Sequence, residues 1–202
     1  MAGMDADHLS SGLGGAVRQW RLTLGLTLDG LAARSGVSRA MLSDVERGAK
    51  SPTIRVVCQI AEGLGCSVSD LLSGPPGDRP NDVVSILRTP DRPVLVDPDS
   101  GVERRLLSPN PRRAGVEVVL YVVPPGRETG EFPPHRPGTR EHVTVMRGEL
   151  VGRIGEIEIG LSTGDSAAFP ADVPHGFRNP AAEPCEFLLV IDGPRSPGQI
   201  RP

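Results

Sequence analysis

LGLTLDGLAARSGVSRAMLSDVERG, residues 24–48, reads as two short helices on either side of a glycine-bearing turn. In the first, residues 27–34, Leu28, Leu31 and Ala32 share one face and the Thr27 hydroxyl is placed to cap the start. Ser35, Gly36 and Val37 form the turn. Ser38 then caps a second helix in which Met41, Leu42 and Val45 point inward, and Gly48 ends the run. What remains on the outer face is Arg39, Ala40, Ser43, Asp44 and Arg47, a set of short polar groups and arginines with little bulk. A ridge of that kind can lie in the major groove of a duplex and touch base edges.

Helical periodicity continues on both sides of this motif. Leu13, Val17, Trp20 and Leu24 predict an opening helix, and Ile54, Val57, Cys58, Ala61 and Leu64 predict a fourth, with Ser51 and Pro52 as its start. The run from Ser67 to Asp70 is a capping box opening a fifth helix that ends near Leu72. Five short helices of this length form a compact bundle. The whole chain has a formal net charge of -3, which taken alone argues against nucleic acid, yet from Gly12 to Arg55 seven basic residues face three acidic ones. That local excess is what phosphate contact and counterion release require. Lys50, within it, is the only lysine in the protein.

With 202 residues the chain has room for two small domains, and 38% hydrophobic with 23% charged residues is too polar for a membrane-spanning run. Residues 1–11 lack the basic start and apolar block of a secretion signal, so a cytoplasmic location is expected. Cys58, Cys66 and Cys185 are odd in number and lack C-x-x-C spacing, which marks them as packing residues. SGPPGDRPN at 73–81 cannot continue a helix and reads as a stiff spacer. After it come short β-rich runs: VVSILRT, VERRLLS, VEVVLYVV, EHVTVMR, ELVGRIG, EIEIGL, SAAFP, HGFRN and CEFLLVI. Closely spaced strands without helices predict an antiparallel barrel or sandwich. The expected organisation is a helical domain at 12–73, a Pro/Gly linker at 74–81, a β domain at 82–192 and a loose tail at 193–202.

On LGLTLDGLAARSGVSRAMLSDVERG and the following SPTIRVVCQIAEGLGCSVSDLL, residues 12–73 resemble the lambda-repressor-like, or XRE, helix-turn-helix family. The resemblance implies that Arg39, Ala40, Ser43 and Asp44 face bases and that Thr27, Ser38, Arg47 and Lys50 lie near phosphates. The side-chain chemistry agrees, since an arginine grips guanine O6 and N7 and an aspartate accepts from cytosine N4. Asp44 stands where many relatives carry glutamine. Arg21 and the Glu46 of E-R-G are expected, by the same resemblance, to pair and brace the bundle. A protein-binding helical bundle is the alternative for this half, but the apolar or aromatic outer face it calls for is absent.

The second half resembles the cupin family over about residues 115–192. His135, Glu141 and Gly148 carry the first signature in HRPGTREHVTVMRG, and Gly164, Pro170, His175 and Asn179 carry the second in GDSAAFPADVPHGFRN. Together the two halves predict an α + β two-domain fold: a five-helix bundle followed by an antiparallel β-barrel, or double-stranded β-helix. Strand alternation puts Glu141, Val143 and Val145 on one face and His175 and Phe177 on another, with the ionisable groups at the barrel mouth. His135, Glu141, Val143, His175 and Phe177 are the candidate effector pocket.

No cofactor is fixed by the sequence. The cupin set usually has two histidines one residue apart, and here the first of those positions is Pro133. His135, Glu141 and His175 remain as a two-histidine, one-carboxylate set that admits a divalent metal, Fe, Zn or Ni. The other reading is a hydrogen-bonded histidine and glutamate lining a pocket for an organic effector. The combined resemblance implies a transcriptional regulator whose partners are double-stranded DNA with a palindromic operator, a small polar metabolite and a second copy of the chain, with no membrane. The competing expectation is a mononuclear iron oxygenase, since the domain order resembles the hydroxypropylphosphonate epoxidase family. That family's shorter histidine-to-glutamate spacing is not reproduced here.

Overall fold

The computed structural model describes residues 5–72, 84–109 and 115–193; the expected linker at 74–81 and residues 194–202 of the expected tail lie outside the described residues. The chain divides into two compact units, one of them holding the five helices together with Pro93–Asp99.

In the helical unit the order is α1 (Asp5–Thr23), α2 (Leu28–Ser35), α3 (Arg39–Glu46), α4 (Ile54–Leu64) and α5 (Val68–Leu72). Three side-chain caps set the short helices. Thr27 Oγ1 accepts from Gly30 N, Ser38 Oγ from Met41 N, and Thr53 Oγ1 from Val56 N. Ser67 and Asp70 exchange the two bonds of a capping box, each 3.0 Å long. α3 stops where Gly48 N and Ala49 N bond back to the carbonyls of Val45 and Asp44, the paired bonds of a Schellman ending. Leu13, Val17, Leu31, Leu42, Val45, Ile54, Val57, Ile60 and Leu71 fill the core.

Three expectations for this half need correction. α1 begins at Asp5, ahead of residue 12. Leu24 does not extend its apolar face: the helix ends at Thr23, and Leu24 lies half-exposed where the chain turns through Gly25 N to Leu22 O. α4 starts from Thr53 and not from Ser51 and Pro52, because the Thr53 hydroxyl is the one that reaches an open amide of the first turn. The carboxylate of Asp97 adds a second acceptor there, taking Ile54 N at 2.8 Å. A negative charge suits a helix N-terminus.

The strands are β1 (Val94–Val96), β2 (Glu103–Leu106), β3 (Val116–Val123), β4 (Glu128–Phe132), β5 (Arg140–Arg147), β6 (Glu149–Ile154), β7 (Ile157–Ser162), β8 (Ser166–Pro170), β9 (His175–Arg178) and β10 (Cys185–Asp192). In the strand unit one sheet runs β2-β3-β10-β5-β8 and the other β4-β9-β6-β7, with antiparallel neighbours throughout. Val119, Tyr121, Val123, Val143, Val145, Phe187 and Leu189 of the first sheet are buried, as are Phe132, Leu150 and Phe177 of the second. Tyr121 stacks on Phe187 at 5.1 Å between centroids, and Phe177 meets Phe187 at 5.0 Å across the two layers. Gly148 turns β5 into β6 at φ 86, and a Cβ there would stand 3.0 Å from the Pro184 carbonyl. Buried Asn179 pins the β9–β10 connection by donating to the carbonyls of Val123 and Glu183 and accepting from Ala181 N. This is the antiparallel double-sheet barrel expected of the second half.

VVSILRT, expected to be a strand, is not one. Among its described residues there is only the start of a short 3-10 turn, Thr89–Asp91, with Val84 and Ile86 exposed. Its alternation has no paired strand to satisfy its backbone. ETGEF, overlooked because Gly130 and two glutamates break the apolar pattern, forms β4 against β9.

Candidate functional site

The outer face of α3 is built by its cap and its ending. Ser38 starts the helix at Arg39, so Arg39 and Ala40 occupy its first turn and are exposed, while Ser43 and Asp44 sit half-exposed one turn on. Arg47 and Lys50 are exposed just past the helix end. Thr27, at the start of α2, is exposed, with its hydroxyl engaged as the cap. Two cations of this set meet carboxylates. Arg39 Nε lies 3.2 Å from Asp29 Oδ1, and Arg47 Nη2 donates to Asp44 Oδ1 at 2.7 Å. Both pairs are open to solvent, where such contacts are weak and exchange readily for a phosphate or a base.

Behind the ridge sits a stronger contact. Arg21 Nε and Nη2 donate to the two oxygens of Glu46 at 2.6 and 2.8 Å, and Nη1 donates to the Leu26 carbonyl at 2.9 Å. Both side chains are about nine-tenths buried, and the fork-to-fork geometry raises the Arg21 guanidinium above its ordinary value. Glu46 is the last residue of α3, so the pair fixes that helix against α1 and the turn before α2. The two residues brace the ridge from within.

In the strand unit three chemistry-bearing side chains come together from separate elements. Glu141 projects from β5, His175 opens β9, and His135 sits in the loop after β4, where its amide donates to the Ala171 carbonyl at 2.8 Å. One ligand atom of each lies within 4.8 Å of the others. His135 Nε2 is 3.0 Å from Glu141 Oε1, and His175 Nε2 is 3.3 Å from Glu141 Oε2. The second contact lacks the alignment of a hydrogen bond, and neither atom has another partner. Glu141 and His175 are each only 1% exposed, so the cluster belongs to the barrel interior and not to an open mouth. Inward alternation buries them between the sheets, and only His135 reaches partway out. Val143 and Phe177 line the same interior, and His142 faces outward.

His175 Nδ1 bonds to the Val173 carbonyl at 2.9 Å, which places a proton on that nitrogen. A neutral ring then turns the lone pair of Nε2 toward a carboxylate oxygen. Two acceptors in that position call for a proton or a cation between them. Burial pushes the Glu141 carboxyl up, and the His135 hydrogen bond together with the close His175 ring and the charge of both imidazoles reverses this, leaving it below its ordinary value. Burial likewise pulls the His175 imidazole down, and Glu141 outweighs it, so the ring is raised. The orphaned oxygen and nitrogen, with two imidazoles and one carboxylate converging, fit a divalent metal. The cysteines are not part of any such site: Cys185 is buried, with its thiol pushed up to about 11 by burial.

Sequence reading missed a second buried ionic group, Arg104 on β2 and Glu117 on β3, which form an ion pair within the strand unit. The signal was present in the alternation. β2 buries Arg104 and Leu106, and β3 buries Glu117, Val119, Tyr121 and Val123, so both charges occupy inward positions of otherwise apolar faces.

A helix-turn-helix family model matches residues 17–71 and a cupin domain model matches residues 119–191. The chain is similar to the HTH-type transcriptional regulator SutR of Escherichia coli, with 30% identity over 190 residues, covering 94% of this chain and 99% of that one. It is also similar to the HTH-type transcriptional regulator PuuR of Escherichia coli, at 29% identity over 166 residues, 81% of this chain and 85% of the relative. The crystal structure of an HTH_3 family transcriptional regulator from Vibrio cholerae superposes with a TM-score of 0.77 and 28% identity, over 94% of this chain and 99% of the other.

Proposed function

We propose a mechanism from one premise: the chain belongs to the helix-turn-helix transcriptional regulators that carry a cupin domain, and it is a DNA-binding regulator of transcription. The exposed, cation-flanked face of α3 carries the reading. The helix enters the major groove of an operator; Arg39 gives up Asp29 to grip a guanine, and Ala40 and Ser43 lie against neighbouring base edges. Asp44 accepts from a cytosine amino group while keeping Arg47 turned toward the backbone. Thr27, Ser38, Arg47 and Lys50 flank the phosphates.

One such ridge offers few base contacts, so useful affinity calls for two copies on a palindromic site with half-sites about 10 bp apart. The strand unit serves as the sensor of a small polar metabolite and does no chemistry on it. Its effector pocket is the interior around His135, Glu141, Val143, His175 and Phe177. A divalent ion held by His135, Glu141 and His175 supplies a Lewis-acidic anchor for such a ligand when bound. The residues themselves orient it: the Val173 carbonyl fixes the His175 ring, and His135 holds the Glu141 carboxylate from the loop side. The ligand controls transcription only by binding unequally to arrangements of the two readers that fit and do not fit the operator.

A second reading, an iron oxygenase, is favoured by the same three-ligand cluster. The two readings separate on one experiment. Footprinting of the purified protein on the region upstream of its own gene is expected to protect a palindromic site, with no oxygen uptake by iron-loaded protein. Salt-sensitive binding without a footprint, together with oxygen uptake, would reverse the choice.

A further inference from the structure

Among the described residues of the strand unit, four buried polar atoms lack a hydrogen-bond partner: Glu141 Oε2, His175 Nε2, Arg104 Nη1 and Arg92 Nε. The first two belong to the cluster already described. The third does not, although the sheet register ties it to the same interior. Arg104 lies opposite Tyr121, on the face that also buries Val119 and Val123, and its Nη2 is spent on Glu117. Glu117 is paired with Ile191 of β10, and Ile191 is paired with Glu141 of β5. Directly opposed residues share a face, so Glu117 and Glu141 project into the barrel from one row, with Cα atoms about 10 Å apart.

A guanidinium nitrogen can only donate, and Arg104 is 2% exposed, so Nη1 is an unmet donor enclosed by protein. Its charge is already balanced by Glu117. Glu141 is balanced across the row by its histidines, or by a metal ion they hold with it. An occupant therefore adds at most one negative charge without a partner, which disfavours a phosphate dianion or a dicarboxylate. The charge-assisted bond that a carboxylate makes is stronger than one from a neutral carbonyl.

We propose that the barrel binds a small monocarboxylic acid, with its carboxylate on Arg104 Nη1 and a hydroxyl or keto group directed toward Glu141, His175 and His135. This names the effector class for the sensor reading above and rests on that reading.

The test is calorimetric titration of the full-length protein, without DNA, using pyruvate, 3-hydroxybutyrate and levulinate, each beside its isosteric amide. At least one acid is expected to bind about tenfold or more tightly than its amide. R104K, which keeps the charge and loses the fork, is expected to weaken that acid and not the amide. R104M alone leaves Glu117 buried and unpaired, so R104M/E117Q, which removes both charges, is the variant that keeps the fold; its circular dichroism should match the parent while acid binding is lost. Failure of all three acids to bind, equal binding of acids and amides, or undiminished acid binding by the folded double variant would overturn the proposal. Operator affinity measured with and without the bound acid keeps the two ideas apart. An acid that binds through Arg104 and leaves operator affinity unchanged upholds this site and refutes the sensor role.

Discussion

Replacing Arg21 by methionine removes three donors at once, two to Glu46 at 2.6 and 2.8 Å and one to the Leu26 carbonyl at 2.9 Å. It leaves the Glu46 carboxylate, whose side chain is 7% exposed, without its counter-charge. Breaking one side of a buried pair costs about 3–5 kcal/mol. The bundle is small and the pair lies just under its surface, so solvent screening favours the lower end, about 3 kcal/mol. For a unit of this size each kcal/mol lowers the midpoint by about 4–8 °C, which gives a fall of about 12–24 °C. Far-UV circular dichroism at the helical band follows it selectively, since all the α-helices among the described residues belong to this unit. E46L is expected to cost a similar amount by stranding Arg21. The double variant R21M/E46L, which strands neither charge, should cost no more than about one single variant, about 3 kcal/mol and not the additive sum of about 6, a coupling of about 3 kcal/mol. Single variants that each cost under about 0.5 kcal/mol, with no coupling, would show the pair to be an ordinary surface contact and refute the brace.

Other outcomes follow from the same geometry. R39A should relax preference at one base pair of the operator and cost about 1–3 kcal/mol, whereas K50A should weaken all duplexes alike and lower the salt slope by about 1, both read by fluorescence anisotropy across salt. G14A drives a Cβ to 2.3 Å from the Val45 carbonyl, so α1 must move off α3, at a cost of about 1–3 kcal/mol in thermal melts. A divalent metal at the cluster should appear in elemental analysis of protein equilibrated with Fe(II), Zn(II) or Ni(II). At a hundredfold excess over its dissociation constant it should stabilise the strand unit by about 2.7 kcal/mol, an effect E141Q abolishes. No retained metal and no shift in melting would exclude it.

The helical half was legible because its signals are local. Thr27, Ser38 and the Ser67–Asp70 box are caps that act within three residues, and each appears where spacing put it. The errors lie where a local signal had competitors: Ser51, Pro52 and Thr53 all suit a helix start, and only the observed geometry shows which hydroxyl meets an amide. In the strand half, alternation found the long strands but not β4, whose pairing with β9 supplies what its sequence lacks. The convergence of His135, Glu141 and His175 was foreshadowed by the cupin signatures, yet their depth was not, since burial depends on how two sheets close over them. Arg104 and Glu117 were missed for a related reason. A charge at an inward strand position looks like a break in the pattern until its partner on the next strand is known.

The central claim is that the outer face of α3 reads sequence. In-vitro selection of the full-length protein against random duplexes, at about physiological salt, tests it most directly, because specific binders prefer their site by about a thousandfold or more over unrelated DNA. The account predicts enrichment of one palindromic motif, with R39A losing preference at a single symmetric position. Recovery of no motif, or of the same motif with the same strength from protein in which Arg39, Ser43 and Asp44 are all alanine, would contradict it.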